Sequence, residues 1–298
     1  LLPGIFGDNS VGRTRDIAMA LRDSGFHVCA VELRGCGQTE KRFPDHRMTF
    51  GTYESGDLLA LADWLEQKPH VRRTGLIGFC WGSNVGLVTA WEDGRADDDP
   101  GVSDLIQEKL RPRDGKVHFQ AGMLLFSSVL PFEDVCDACE TTWSVVSNPI
   151  LDRLQNEIKT RMTRKGYPNP DGSLRRLIEI EAAHATGSMQ GVEDGYRFLR
   201  LFPYKDLPYH NKLESIRVPT LLVHAANDPL TDAQPLANLI AETENENVAA
   251  LIIPGGGHVG FGPYAPEYFY SLILRFFDPE RGAGGTDLQK SGSTRPAA

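Results

Sequence analysis

The chain has no apolar run long enough to span a membrane, which takes about 20 residues; the longest runs, such as Ala121–Phe126, suit buried strands. Leu1-Leu2-Pro3-Gly4 lacks the basic start and small-residue cleavage site of a signal peptide. An initiator Met is missing too. Leu1–Pro3 reads as a strand already under way, so the chain is expected to be a piece whose natural N-terminus lies upstream. Positive charge is in short supply: 31 Lys and Arg against 40 Asp and Glu leave a net charge of -9, which argues against nucleic acid as a partner. There is no phosphate loop, no GxGxxG turn and no HExxH, so no nucleotide, catalytic metal or other cofactor is inferred. Cysteine is scarce and odd in number. Cys29, Cys36, Cys80, Cys136 and Cys139 in a chain of 298 residues suit a reducing, cytoplasmic compartment rather than a disulfide framework. Cys136 and Cys139 have the spacing of a redox or metal pair, but no second CxxC or His pair completes it, so they read as two thiols one helical turn apart.

What is present is an ordinary globular composition, 41% hydrophobic and 24% charged, with room for one large domain. Strand-like runs at Leu1–Pro3, His27–Leu33, Thr74–Ile77, Ala121–Ser127, Thr220–His224 and Val248–Ile253 alternate with helical ones at Asp16–Ser24, Gly51–Glu66, Gly82–Glu92, Gln234–Ala241 and Pro266–Phe277. That alternation predicts a mostly parallel sheet with crossover helices. Two stretches break it. Asp93–Arg113 reads as a solvated excursion with one short helix. Pro131–Pro208 holds polar helices (Asp152–Lys165, Leu174–Ala183) and no convincing strand, so it reads as a helical cap inserted between two sheet strands. The domain reading is a core in two parts, 1–130 and 209–280, a cap over 131–208, and a disordered tail over 281–298.

The strongest local signal is Leu76-Ile77-Gly78-Phe79-Cys80-Trp81-Gly82: a buried strand, Gly-x-Cys-x-Gly, then a small-residue helix. This is the nucleophile-elbow pattern with Cys where Ser is usual. A thiol at a helix N-terminus is biased toward thiolate, although a Cys there can also be a small core residue. Two later loops weigh against that plainer reading. Asp228 follows the strand ending near His224, and His258 follows the last strand in Pro254-Gly255-Gly256-Gly257-His258. Nucleophile, acid and base thus come in the order expected of a triad, each at a C-terminal strand end; 148 residues separate Cys80 from Asp228, and 30 separate Asp228 from His258. Asp232 and Asp206 are the fallback acids, and His224 is expected to prop the acid loop. His184 and His210 lie in or beside the cap. Two N–H donors are needed for an oxyanion: Trp81 after the nucleophile, and Ile5, with Phe6 second, in Pro3-Gly4-Ile5-Phe6-Gly7. The side chains of Phe6 and Trp81 are expected to wall the substrate site. Arg34 in Arg34-Gly35-Cys36-Gly37 is expected to anchor neighbouring loops, with Cys36 packed rather than reactive.

Taken with the elbow, the Glu32–Gly37 turn, the His224–Leu230 loop and Gly256-Gly257-His258-Val259-Gly260-Phe261 make the chain resemble the YheT-like branch of α/β-hydrolases, which includes the plant embryogenesis-associated proteins. The resemblance implies the α/β-hydrolase fold and a carboxylic-ester hydrolase, in some members acting on acylglycerols or phospholipids. Three departures stand out: Cys80 for Ser, Ser83 for a second Gly, and Pro3 for a His. Gly-x-Cys-x-Gly is also similar to the elbows of dienelactone hydrolases and polyhydroxyalkanoate synthases, which brings in thioester chemistry and acyl transfer. The expected partner is a small acyl ester or thioester, handled by a monomer or weak oligomer, with membrane association open. The competing readings are an acyltransferase using Cys80 and a non-catalytic binding module on the same fold.

Overall fold

The computed structural model describes residues 1–96, 107–108, 110–112, 115–140, 148–186 and 211–279. Four strands form one parallel sheet in sequential order: β1 (Leu76–Phe79), β2 (Met123–Phe126), β3 (Thr220–Ala225) and β4 (Val248–Ile253). β1 and β2 are short, wholly apolar apart from Gly78, and fully buried, as parallel strands covered on both faces should be. Register aligns Phe79 with Phe126 and Phe126 with Val223, and His224 with Ile252. Loops that follow these strands therefore all leave the same edge of the sheet.

Side chains alternate between two cores. Ile77, Phe79, Leu124, Phe126 and Val223 pack with α1 (Gly12–Asp23) and the last helix; Leu76, Met123, Leu125 and Leu222 pack on the other face with the helices after β1. α2 (Gly37–Arg42) is a short helix after the Arg34–Cys36 turn, α3 spans Glu54–Glu66, and α4 (Trp81–Gly94) leaves β1 directly. After β2 come α5 (Phe132–Glu140), α6 (Pro149–Arg164) and α7 (Leu174–Thr186), which pack on one another. α8 (Ala233–Ala241) joins β3 to β4, and α9 (Phe261–Tyr264) and α10 (Pro266–Phe277) follow.

Several expected boundaries move. The first sheet strand after the elbow's approach runs Leu76–Phe79, two residues later than expected, because Phe79 still pairs with Phe126 before the chain turns. Leu1–Pro3 contributes a single bridge, Leu2 to Gly78, and His27–Leu33 is not a strand. It is held alongside Leu1 by two bonds, the Leu1 amine to Cys29 O at 2.9 Å and Val31 N–H to Leu1 O at 3.0 Å, so the apolar run is present while the ladder is too short to continue. α2 and α9 were not anticipated; both are too short to show a helical period. Most of the expected excursion after Asp93, residues 141–147 and 187–208 of the expected cap, and the tail lie outside the described residues. Among the described residues no helix is long and apolar enough to cross a membrane.

Candidate active site

The turn after β1 carries its nucleophile candidate in a strained backbone. Cys80 has φ 52° and ψ -120°, a conformation that costs a non-glycine residue about 1–3 kcal/mol and persists only where surrounding contacts impose it. Those contacts are visible. Cys80 N–H donates to Phe126 O at 2.9 Å, and a Cβ on Gly82 would lie 2.3 Å from Pro3 O, so no larger residue fits where the first segment crosses the elbow. A Cβ on Gly78 would meet Gly82 O at 2.6 Å for the same reason. Ser83 makes use of its departure from Gly: its buried hydroxyl meets that of Ser128 at 2.5 Å. Asn84 binds Val129 through both its amide atoms, at 2.7 and 2.8 Å, tying the elbow helix to the chain after β2.

At the ends of β3 and β4 the acid and the imidazole meet. His258 Nδ1 lies 2.9 Å from Asp228 Oδ2 and 3.2 Å from Oδ1. A carboxylate only accepts, so Nδ1 carries the proton and Nε2 is left to face the thiol. The side chain of Asp228 is wholly buried, and its Oδ1 also accepts from Leu230 N–H at 2.9 Å and Thr231 N–H at 3.3 Å. Burial would raise this carboxyl, but the bond and charge of His258 and the Leu230 N–H outweigh it and hold the group below the usual carboxylate range. His224 closes the acid loop from behind, Nε2 to Thr231 O at 3.1 Å and 3.7 Å from Asp228 Oδ2.

Burial would likewise raise the Cys80 thiol, yet the charge of His258 and the backbone N–H groups of Trp81 and Ile5 bring it below the ordinary thiol value. His258 in turn is lowered by burial, but raised on balance to about 10 by the Cys80 charge and by Asp228. Nε2 of His258 is buried without a hydrogen-bond partner, so its pairing with Cys80 is carried by charge. Unliganded sites of this kind often tighten only around substrate. The arrangement can therefore hold a thiolate beside an imidazolium.

A family model described as alpha/beta hydrolase fold matches residues 1–93. An esterase of Pyrococcus furiosus superposes with a TM-score of 0.54 at 16% identity, over 93% of this chain and 81% of that one. A hydrolase from Penicillium gives 0.54 at 16%, over 93% and 88%, and a monoacylglycerol lipase of Paleococcus ferrophilus gives 0.50 at 15%, over 93% and 91%. The chain has the α/β-hydrolase fold.

Within that fold, Asp228 and His258 meet at the sheet edge to which β1 also delivers Cys80, and the Gly4–Gly7 turn passes beside that cysteine, a Cβ on Gly4 lying 3.7 Å from its sulfur. One expectation needs correction. The Trp81 indole does not wall an open site: it is 1% exposed, wedged between Phe50 and Phe132 at ring distances of 5.7 and 4.9 Å. The Phe6 ring lies 5.2 Å beneath the Arg161 guanidinium. Of the fallback acids, Asp232 instead caps α8 through Gln234 N–H at 3.0 Å, and Asp206, like His210, lies outside the described residues. His184 is exposed on α7. Arg34 anchors α3 through Asp57 at 2.6 and 2.8 Å, as expected.

Arg13 and Ser127 escaped sequence reading. Val259, next to His258 and itself at φ 58°, donates its N–H to Ser127 Oγ at 3.2 Å and accepts from Arg13 Nη1 at 2.8 Å. Arg13 also lies over the Phe79 ring at 4.9 Å, beneath the elbow. No motif marks a residue 246 positions from its partner. Among the described residues no three His, Cys, Asp or Glu side chains are grouped to hold a metal ion.

Proposed function

We propose that this chain is a YheT-like hydrolase of carboxylic ester or thioester bonds in acyl or lipid-like substrates, working in the cytoplasm through an acyl-cysteine intermediate. The Cys80 thiolate attacks the carbonyl carbon, and the tetrahedral oxyanion is received by the N–H groups of Ile5 and Trp81. Imidazolium His258 gives its proton to the departing alkoxide or thiolate as the C–O or C–S bond breaks. Water, deprotonated by the now neutral His258, then adds to the acyl thioester; collapse releases the acid and returns the thiolate to Cys80. Asp228 keeps the Nδ1–H tautomer throughout. The helices between β2 and β3 serve as a cap over the sheet edge where open α/β sheets bind ligands.

One observation carries this reading: a thiol in a strained elbow lies beside the Gly4–Gly7 turn, a Cβ on Gly4 being 3.7 Å from its sulfur, at the sheet edge where an imidazole is held by a wholly buried carboxylate. The esterase and the monoacylglycerol lipase that share the fold make ester hydrolysis the natural first assay. The test is turnover of oxygen esters and thioesters paired by chain length, by wild type, Cys80→Ser and Cys80→Ala. Hydrolysis to free acid that falls at least about a thousandfold in Cys80→Ala is the expected result. Full turnover by Cys80→Ala would sink the mechanism. Product formed only when an alcohol or thiol acceptor is added would make the protein an acyltransferase instead.

A further inference from the structure

The helices after β2 place a cation deep against the core. Arg161, 5% exposed on α6, donates from Nε and Nη2 to the two oxygens of fully buried Glu181 on α7, at 2.9 and 3.0 Å. Its Nη1 crosses to Gly35 O at 2.8 Å, in the turn before α2. Glu181 also accepts from Met48 N–H at 3.0 Å and Tyr167 OH at 3.3 Å. Glu40 of α2 draws Arg164 at 2.7 Å, Lys165 at 2.9 Å and Arg161 at 3.3 Å. Desolvating so many charges is costly, and apolar packing of equal volume would often be at least as stable, so the cluster calls for a role beyond adhesion.

The free face of the guanidinium supplies one. It lies 5.2 Å over the ring of Phe6, a favourable cation–π distance. Phe6 has φ 56°, a backbone conformation that residues with a side chain rarely adopt, within the turn closed by Gly7 N–H to Gly4 O at 3.0 Å. The same turn carries Ile5 and passes against the elbow, where a Cβ on Gly4 would lie 3.3 Å from Cys80 Cβ and 3.7 Å from its sulfur. Space has been left for the cation to reach this place. A Cβ on Gly35 would sit 2.7 Å from Met48 N and 3.2 Å from Arg161 Nη2. We propose that Arg161 is a positioning residue: from the helical insertion it clamps the Phe6 ring, holds the Gly4–Gly7 turn in its left-handed form, and so keeps the Ile5 N–H aimed at the reacting carbonyl oxygen.

The inference rests on the acyl-cysteine reading and makes the helical insertion part of the site's alignment. Its test compares Arg161→Met, Phe6→Leu, both together, and Arg164→Met, reading kcat, KM, thermal unfolding and the pH dependence of Cys80 alkylation. Arg161→Met and Phe6→Leu are each expected to lower kcat about tenfold with KM changed less than about twofold, short of the larger loss from deleting an oxyanion donor outright. The alkylation midpoint should rise in both. The double variant should be no worse than either single one, since both break the same link. Arg164→Met breaks the exposed arm of the same ion cluster without touching Phe6, and should leave kcat unchanged. Phe6→Leu does not disturb the ion pair, so it decides the matter even if Arg161→Met does not fold. Unchanged kcat and alkylation midpoint in folded Phe6→Leu, additive losses in the double variant, or an equal kcat loss in Arg164→Met would overturn the proposal. Wild-type Cys80 that alkylates like an ordinary thiol would instead remove the acyl-cysteine reading beneath it.

Discussion

Cys36 and Cys80 both lie in tight turns of the core beside a basic side chain, and their surroundings push them in opposite directions. Cys36 is 3% exposed; burial drives its thiol up to about 12, and although Arg161 pulls the other way, Glu54, Glu40 and Glu181 push with the burial. Cys139 is likewise raised to about 12 by burial and by Glu140, against the N–H of Leu174, and its neighbour Cys136 is raised as well. Cys80 also suffers desolvation, yet His258 and two backbone N–H groups overcome it. A nearby cation is therefore not what makes a thiol reactive. The sum of the field decides, and at Cys36 the carboxylates that neutralise Arg161 also hold the thiol protonated.

The sharpest break of that contrast comes from the acid. Asp228→Asn keeps the shape of the loop but loses the charge that fixes the His258 tautomer, so kcat should fall by about 10³–10⁴ in a steady-state ester assay. A variant within tenfold of wild type would mean that Asp228 does not orient His258.

A smaller effect is read without any substrate. The folded Cys80 thiol is lowered, so its thiolate persists as pH falls through the ordinary thiol value near 9 and is lost only below its own depressed pKa. The partner His258 is raised to about 10, so it stays protonated until pH rises through that value. Iodoacetamide labelling of Cys80 should therefore fall off less steeply below pH 9 than that of an ordinary thiol, which slows about tenfold per unit. Cys36, Cys136 and Cys139 should remain unlabelled in the same mass-spectrometric experiment. His258→Ala should restore the ordinary slope.

The smallest expected effect concerns the backbone. Because Cys80 sits at φ 52°, Cys80→Gly should be more stable than Cys80→Ala by about 1 kcal/mol in urea unfolding, both being inactive. Equal stabilities would show that the elbow carries no strain.

A second pair of residues shows how little a motif means without its place. His118 meets Asp93 at 2.6 Å and Asp63 at 3.3 Å, and these bonds raise it despite burial, much as Asp228 helps raise His258. It lies before β2, at the sheet edge opposite the elbow. Lys116 and Arg111 also bind Asp63, and Arg217 contacts Asp93, so the cluster neutralises itself and faces no nucleophile. What separates the two histidines is the parallel register, which sends the loops after Phe79, Ala225 and Ile253 to one rim and the segment before Met123 to the other.

The amino-acid sequence by itself determined the α/β alternation and the places of Cys80, Asp228 and His258 after β1, β3 and β4, because those apolar runs are long enough to pair as buried strands and because Gly78 and Gly82 leave room for a turn that larger residues would block. The Pro266–Phe277 helix could be read to the residue, since proline starts it and its apolar face repeats at helical spacing. His27–Leu33 reads as a strand and is not one, because whether an apolar run joins a ladder depends on a neighbour that continues beside it. Only the tertiary structure decided that Arg13 and Ser127 hold the histidine loop, that Trp81 turns its indole into the core, and that Arg161 reaches Phe6 from α6. Each of these is a contact between segments far apart in the chain, set by how the helices dock on the sheet, and no local pattern of residues encodes such a distance.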